Sequence, residues 1–336
     1  MRAVDHGGGR RAHASVPAPI EAATGPVRVL YVAGLGRSGS TLLASLLGEV
    51  PGLASAGEVL YLLERGVGDG DLCGCGRPVP ACPLWLDVLA RAGTPTDPEM
   101  LIALAAEAQA VIRLRHAPRL LVDRRRDHPW LRARAGRWLD HLARTYPAIA
   151  AASGAEVVVD ASKSPSYGAA LEATGVVDLR VVHLVRDPRG VAASWSTPTA
   201  RHDRAAVTAM DRRDPASATL LWGAWNDMAH RLWAGDPERY LVVRYEELVA
   251  DPETVVRRVL RLAGVPADGP LPFLRGDTAT LTRSHTVAGN PARLTVGPVA
   301  LRADEAWRSR LGARDRRVVE LLSAPVARRF GYGRDR

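Results

Sequence analysis

Near its start the chain carries Gly34-Leu-Gly36-Arg37-Ser38-Gly39-Ser40-Thr41, whose residue types and spacing are those of a phosphate cradle. Two glycines separated by four residues and followed by Ser-Thr let backbone N–H groups and a helix N-terminus converge on an anion. The position after the second glycine, where nucleotide triphosphatases carry the lysine that reaches the β- and γ-phosphates, is Ser40. The positive charge sits inside the loop instead, at Arg37. Such a loop can hold a 5′-phosphate but is poorly equipped to drive cleavage between β- and γ-phosphates.

Two further segments repeat the grammar of an apolar strand ending in chemistry. Glu156-Val-Val-Val159 feeds Asp160-Ala-Ser162-Lys163-Ser164-Pro165, and Lys163 is the one lysine among 45 basic side chains. A compact ammonium can approach a leaving oxygen as a point donor, which a planar guanidinium does less readily. Leu179-Arg-Val-Val-His183-Leu-Val185 feeds Arg186-Asp187-Pro188-Arg189-Gly190, with Pro188 in the first turn of a helix that carries Ser194. Arg186 and Ser194 could share one anion; an arginine capped by Asp187 and a serine on a solvated face is the plain alternative.

The elements that must position these residues are strands of a parallel α/β sheet, whose carboxyl edges gather the loops of its site. The strand Val27-Arg-Val-Leu-Tyr-Val-Ala33 precedes the cradle, and Leu42-Leu-Ala-Ser-Leu-Leu47 continues it as a helix. Helical spacing over Pro98–Leu114 and Trp130–Tyr146 interrupts the strand–helix alternation, giving a helical insertion over about 86–150. That insertion is read either as a lid over an acceptor or as an extra packed layer. Trp222, Trp225 and Trp233, at helical spacing, read as core. Asp304 and Trp307 read as the start and anchor of a late helix.

Taken together, these segments resemble the sulfotransferases that use 3′-phosphoadenosine 5′-phosphosulfate (PAPS), in particular the tyrosylprotein and carbohydrate enzymes and their many bacterial relatives. The order of cradle, lysine loop, Arg186-Asp-Pro-Arg189 and Arg244-Tyr-Glu-Glu-Leu248 carries the likeness from about residue 27 to 310. The resemblance implies a P-loop-type parallel sheet flanked by helices. It assigns Gly36, Arg37, Ser38, Gly39, Ser40 and Thr41 to the 5′-phosphosulfate, and Arg186 and Ser194 to the 3′-phosphate. Lys163 would stabilise the departing phosphate oxygen. Glu58, in Ala56-Gly-Glu58-Val59, matches the catalytic glutamate of the tyrosylprotein-type enzymes, with capping of a helix at Val59 as its structural alternative. Cytosolic aryl-type relatives use a histidine shortly after the lysine; here that position is Pro165, which favours Glu58 as the base. Ser284 falls where a serine contacts the sulfonate, and Asn290 and Arg293 where the bacterial pattern closes over the cofactor. No metal is required by that chemistry, and the product nucleotide is adenosine 3′,5′-bisphosphate.

Composition bounds the remainder. At 336 residues, 47% of them apolar, the chain is long enough for one elaborated α/β domain over 27–336, after a Gly-, Ala-, Pro- and Arg-rich tail at 1–26 that reads as disordered. The tail lacks the apolar run of a secretory signal, and no stretch approaches 18 uninterrupted apolar residues, so the expectation is a soluble, cytoplasmic protein. The net charge of +9 is arginine spread through helices, without a nucleic-acid-binding motif. Three cysteines, Cys73, Cys75 and Cys82, lie in one short segment with no fourth Cys or His inside it. A structural zinc wants four ligands, so the segment reads as a loop packed by Trp85, open to one disulfide, rather than as a metal site.

Two rival functions stay open at this point. A P-loop small-molecule kinase would use Val157-Val-Val159-Asp160 as the strand that ends in a magnesium-binding carboxylate, against the absence of a lysine at Ser40. A non-catalytic nucleotide-binding module would leave Glu58 and Lys163 without a task. The resemblance implies as acceptor a hydroxyl of a small molecule, sugar, lipid or peptide.

Overall fold

The computed structural model describes residues 25–122, 128–198, 200–201, 208–209 and 211–333; nearly all of the N-terminal tail lies outside them. Five strands, β1 (Val27–Ala33), β2 (Leu53–Gly57), β3 (Val157–Lys163), β4 (Val177–Val185) and β5 (Tyr240–Arg244), pair in the order β2-β3-β1-β4-β5. All four pairings are parallel. β1 is central, with Leu30 opposite Val159 of β3 and Arg180 of β4. Its alternation sends Leu30 and Val32 to one apolar cluster and Val29 and Tyr31 to another. Continuous apolar strands of this kind are what a sheet covered on both faces demands.

Helices cover both faces. α1 (Ser40–Gly48) contributes Leu43, Leu46 and Leu47 beneath Leu30 and Val32. Between β2 and β3 come α2 (Pro83–Ala92), α3 (Pro98–Val111) and α4 (Pro129–Ser153). After β3 follow α5 (Pro165–Ala173), α6 (Pro188–Ser196), α7 (Pro215–Trp233) and α8 (Pro252–Ala263), and α9 (Ala313–Ala327) lies near the C-terminus. The punctuation is written locally. Helices α2 through α8 all begin at a proline, and Asp97, Ser164, Asp187, Asp214 and Asp251 each accept an N-terminal amide of the helix they precede.

The insertion forms a helical layer against the Val29–Tyr31 face, where Leu104, Ala108, Trp138, Leu142 and Tyr146 join Tyr167 of α5 in one core. α4 runs past its expected end at Tyr146 to Ser153, through Pro147, and bends at Ala135, whose backbone leaves helical geometry.

A second, antiparallel sheet of β6 (Leu274–Arg275), β7 (Thr278–Leu281) and β8 (Gly297–Ala300) lies in the C-terminal third. The strap between β7 and β8, residues 282–296, crosses the edge of the main sheet. There Val287 bridges Gly57 in parallel: Glu58 N–H donates to Val287 O at 2.8 Å and Val287 N–H to Ala56 O at 2.9 Å. This contact fixes the backbone on either side of Glu58. No described helix is long and apolar enough to cross a membrane.

Candidate active site

The cradle is built by two backbone close approaches. A Cβ on Gly34 would stand 2.3 Å from Leu184 O, and one on Gly39 would stand 2.5 Å from Tyr245 Cδ2; both residues have positive φ. Arg37 also adopts a left-handed backbone, φ 73°, at a cost on the order of 1 kcal/mol for a non-glycine residue. Arg186 holds it there, its Nη1 donating to Arg37 O at 3.1 Å, while the Trp195 indole donates to Gly36 O at 3.2 Å. The Arg37 guanidinium lies 5.7 Å from the Trp195 ring centre. Burial pulls its pKa below the usual guanidinium value, opposed by Asp211 and Glu58. Ser38 is buried and its hydroxyl has no hydrogen-bond partner among the described residues. A buried orphan hydroxyl in a glycine-built anion cradle fits a phosphate oxygen that would complete it.

Strand pairing brings Glu58 and Lys163 together. β2 and β3 are neighbours with Gly57 opposite Asp160, so Glu58 and Lys163 emerge from adjacent carboxyl ends. Lys163 Nζ lies 2.6 Å from Glu58 Oε1, and the two side chains are only 11% and 12% exposed. Glu58 makes no side-chain cap to the turn that follows it, which removes its structural alternative. Lys163 has φ 68° and returns a hydrogen bond from Nζ to Ala161 O at 2.9 Å. Beneath it lies a buried polar chain. Asp160 accepts from Ser162 N–H and Ser162 Oγ–H and from the Tyr146 hydroxyl, whose oxygen is 3.0 Å from that of Tyr167. The Ser162 hydroxyl oxygen in turn accepts Leu60 N–H at 3.1 Å. Burial pushes the Asp160 carboxyl up to about 6 against these hydrogen bonds. Its oxygens face this network and it does not line the cleft, so the carboxylate that a magnesium-dependent kinase would need there has another occupation.

Arg186 stands at the end of β4, against the Tyr245 ring at 4.6 Å. Its Nη2 donates to both the carbonyl and the Oδ2 of Asp304 at 3.0 Å. Asp304 also caps its own turn by accepting Ala306 N–H at 3.1 Å, and Trp307 beyond it is buried under Arg189. The pairing of Asp304 with Arg186 has no signature in the sequence.

One cleft of about 860 Å³ is lined by Gly36, Arg37, Gly39, Ser40, Thr41, Glu58, Lys163, Arg186, Ser194 and Asn290. Residues expected at the 5′-phosphosulfate and at the 3′-phosphate, Arg37 and Arg186 among them, thus line one cavity, while Ser38 is buried. Tyr61, Asp211, Arg213, Trp195 and Trp225 line it too and were not anticipated. Trp225, read as core with Trp222 and Trp233, is half-buried: it packs against the apolar cluster around Trp222 and also lines the cleft, whereas the other two are buried. Helical spacing could not separate the three, because a 19-residue helix such as α7 turns part of its apolar face to a cleft as easily as to a core.

The structure does not bring Ser284 and Arg293 to this cleft. Both line a separate cavity of about 220 Å³ beside Trp85. Arg293 is buried, with Nη1 donating to Thr286 O at 3.1 Å and Nη2 to Leu72 O at 2.5 Å, and Ser284 Oγ lies 3.3 Å from Thr286 Oγ1. The physical reason is the anchoring of the strap: the Trp85 indole grips His285 O at 2.8 Å and Gly74 N–H donates to Thr286 O at 2.9 Å. Of the strap, Gly289, Asn290 and Ala292 reach the cleft, and the Arg293 side chain turns back from it to the carbonyls of Thr286 and Leu72.

A family model described as "Sulfotransferase family" matches residues 30–269. Carbohydrate sulfotransferase 5 of Mus musculus is 32% identical over 173 residues, covering 45% of this chain and 41% of its own length. Carbohydrate sulfotransferase 2 of Homo sapiens is 28% identical over 193 residues, 47% of this chain and 36% of its own length. The chain thus spans less than half the length of these relatives. Among solved structures, the sulfotransferase domain from the Synechococcus PCC 7002 olefin synthase is similar with a TM-score of 0.51 and 23% identity, covering 93% of this chain and 97% of that one. That likeness is one of fold.

Proposed function

Since the chain belongs to the sulfotransferase family, whose model matches residues 30–269, we propose that it transfers the sulfonyl group of PAPS to a hydroxyl, with a sugar as the favoured acceptor class. The observation that carries this reading is the meeting of Arg37, Glu58, Lys163 and Arg186 in one cleft, with Lys163 and Glu58 in contact at 2.6 Å. Gly36, Arg37, Ser38, Gly39, Ser40 and Thr41 would hold the 5′-phosphosulfate, and Arg186 and Ser194 the 3′-phosphate. PAPS supplies an activated sulfonate whose S–O bond to the phosphate breaks as the acceptor oxygen bonds to sulfur.

The work left to the chain is proton and charge management. Glu58 takes the acceptor's proton at a carboxylate oxygen, a role worth roughly 10²–10⁴ in rate for a positioned base. Lys163, beside it, donates from Nζ to the phosphate oxygen that leaves, and Arg37 shares that charge. These cations meet the electrostatic need of the step without a metal at the reacting atoms. Asn290 narrows the cleft from the strap side. The carbohydrate sulfotransferases among the relatives favour a sugar over a lipid, a peptide or another small molecule. Tyr61, Trp195 and Trp225 give the cleft aromatic walls for such a ring.

Calorimetric titration with adenosine 3′,5′-bisphosphate and with ATP–Mg²⁺ tests the nucleotide assignment. Tight bisphosphate binding with no added magnesium is expected; binding of ATP–Mg²⁺ alone would return the kinase to first place. Transfer of labelled sulfate from PAPS to a panel of sugar, lipid and phenolic hydroxyls then identifies the acceptor.

A further inference from the structure

The cysteine segment, short of a fourth ligand in the sequence, gains one in the fold. His285, on the strap, enters between the sulfurs, and the four ligand atoms of Cys73, Cys75, Cys82 and His285 all lie within 4.8 Å of one another. Cys82 Sγ is 3.2 Å and Cys73 Sγ 3.7 Å from His285 Nδ1, and Cys75 Sγ is 3.7 Å from Cys82 Sγ. Four ligands at the corners of a tetrahedron with arms of about 2.3 Å have edges of about 3.8 Å. A disulfide would bring two sulfurs to about 2.05 Å; all three cysteines are free thiols. The expectation of a cysteine loop without a metal therefore rested on looking for the fourth ligand inside the segment, whereas it lies 203 residues beyond Cys82.

We propose that Cys73, Cys75, Cys82 and His285 form a structural zinc site that fastens the strap to the cysteine loop. Its surroundings are those of a metal knuckle. The backbone turns tightly after Cys73, with Gly76 N–H donating to Cys73 O at 2.8 Å and Cys73 N–H to Arg77 O at 2.7 Å. There is no room at Gly74 for a side chain: a Cβ would fall 2.6 Å from Thr286 Oγ1 and 2.8 Å from Ser284 O. The His285 backbone is fixed by the Trp85 indole, so the imidazole is aimed before any ion arrives. Binding releases the three thiol protons and leaves one net negative charge on the centre, with Arg77 in the loop and Arg283 at hand, the latter donating to Cys75 O at 3.2 Å. Four protein ligands leave no open position, so the ion is structural and not a Lewis acid for the transfer.

The consequence reaches the active site through two residues of chain. His285 is followed by Thr286 and by Val287, whose carbonyl holds Glu58 N–H; Ala288 and Gly289 then turn at φ 51° and 99°, and a Cβ on Gly289 would meet Glu58 Oε1 at 2.8 Å. Fastening His285 therefore fixes the register in which the strap passes the base.

The full chain, expressed with zinc and purified under reducing conditions, is tested by elemental analysis and then by Co²⁺ titration of the chelator-stripped protein. About one zinc per chain is expected, together with the intense visible bands of tetrahedral cobalt and thiolate-to-cobalt charge transfer. Cys82→Ala and His285→Ala should each lose the bound zinc, and metal should raise the wild-type melting temperature. If either variant fails to fold, the wild-type cobalt spectrum still decides, since it reports sulfur ligation directly. Stoichiometry below about one tenth after zinc reconstitution, an octahedral cobalt spectrum, or a Cys75–Cys82 disulfide found by mass spectrometry in the protein as purified under reducing conditions would each overturn the assignment. None of these readouts depends on sulfonyl transfer.

Discussion

The two ends of the cleft are built on opposite plans. At one, Lys163 and Glu58 face each other at 2.6 Å with both side chains nearly enclosed, at 11% and 12% exposure. At the other, Arg186 is equally enclosed, at 8%, but its partner Asp304 is 47% exposed. An enclosed pair is part of the scaffold: removing one member leaves the other without compensation in a poorly solvated place. A pair with one member in water is an exchangeable contact, because the solvated carboxylate can yield to a stronger anion at small cost. The comparison teaches that the end proposed to react is assembled in advance, while the end proposed for recognition keeps a carboxylate on the arginine that a 3′-phosphate would have to claim.

The most severe way to break the comparison is at the enclosed end. Glu58→Gln should lower turnover by about 10²–10⁴ and leave bisphosphate affinity near wild type, measured by sulfate transfer and calorimetry side by side. Lys163→Ala should lower turnover by about 10²–10³ on the same pattern. If the two residues act as one unit, the double variant is scarcely worse than the more damaging single one. Fully multiplicative losses would separate them, and a loss confined to affinity would move Lys163 to the recognition end.

A second variant probes what supports that end. Asp160 lies under the lysine loop, and burial holds its carboxyl at about 6 against 3.8 in the unfolded chain. Between about pH 4 and 6 the native state therefore binds a proton that the unfolded state has lost, so Asp160 makes stability fall as pH rises, with the full penalty standing above pH 6. A displacement of that size corresponds to about 3 kcal/mol at most. His141 and His183, pushed down to about 4 by burial, work in the reverse sense over the same range. Only the difference between wild type and Asp160→Asn isolates the carboxylate. The stability of the variant relative to wild type should climb from pH 4 to 6 and then level off in denaturation curves; a difference independent of pH would remove the buried charge from the account.

At the exchangeable end, Arg186→Ala removes charge-assisted bonds of about 1.5–3 kcal/mol, so bisphosphate should bind roughly ten- to a hundredfold more weakly. Part of that loss is indirect, because the same guanidinium holds the carbonyl of the left-handed Arg37. Calorimetry with the bisphosphate and with adenosine 5′-phosphosulfate, which has no 3′-phosphate, separates the parts. A loss equal for both ligands would make Arg186 a support of the cradle and not a contact of the 3′-phosphate.

Legibility in the sequence divides along a related line. The cradle, the strand-end positions of Lys163 and Arg186 and the proline-started helices are contiguous patterns whose geometry follows from neighbouring residues, and they could be read directly. The contact of Glu58 with Lys163 depends on which strands pair, and the sequence names the strands without naming their order. Ser284 and Arg293 were placed at the cofactor through resemblance. The strap carries them elsewhere because the Trp85 indole and Gly74 amide hold it from below, contacts separated by some two hundred residues. The same long-range step concealed His285 beside the cysteines, and Asp304 against Arg186.

The smallest expected effect gives the sharpest test of exchange. Asp304→Asn removes the competing charge yet retains an oxygen able to accept Ala306 N–H, since asparagine caps a helix turn as well as aspartate. The backbone carbonyl that Arg186 also contacts is unchanged. A half-exposed ion pair is worth about 0.2–1 kcal/mol, so bisphosphate should bind up to about fivefold more tightly, and the gain should shrink as salt is added. Weaker binding would reverse the assignment: Asp304 would then be holding Arg186 in its binding posture, and the recognition end would be as much a fixed part as the pair of Lys163 and Glu58.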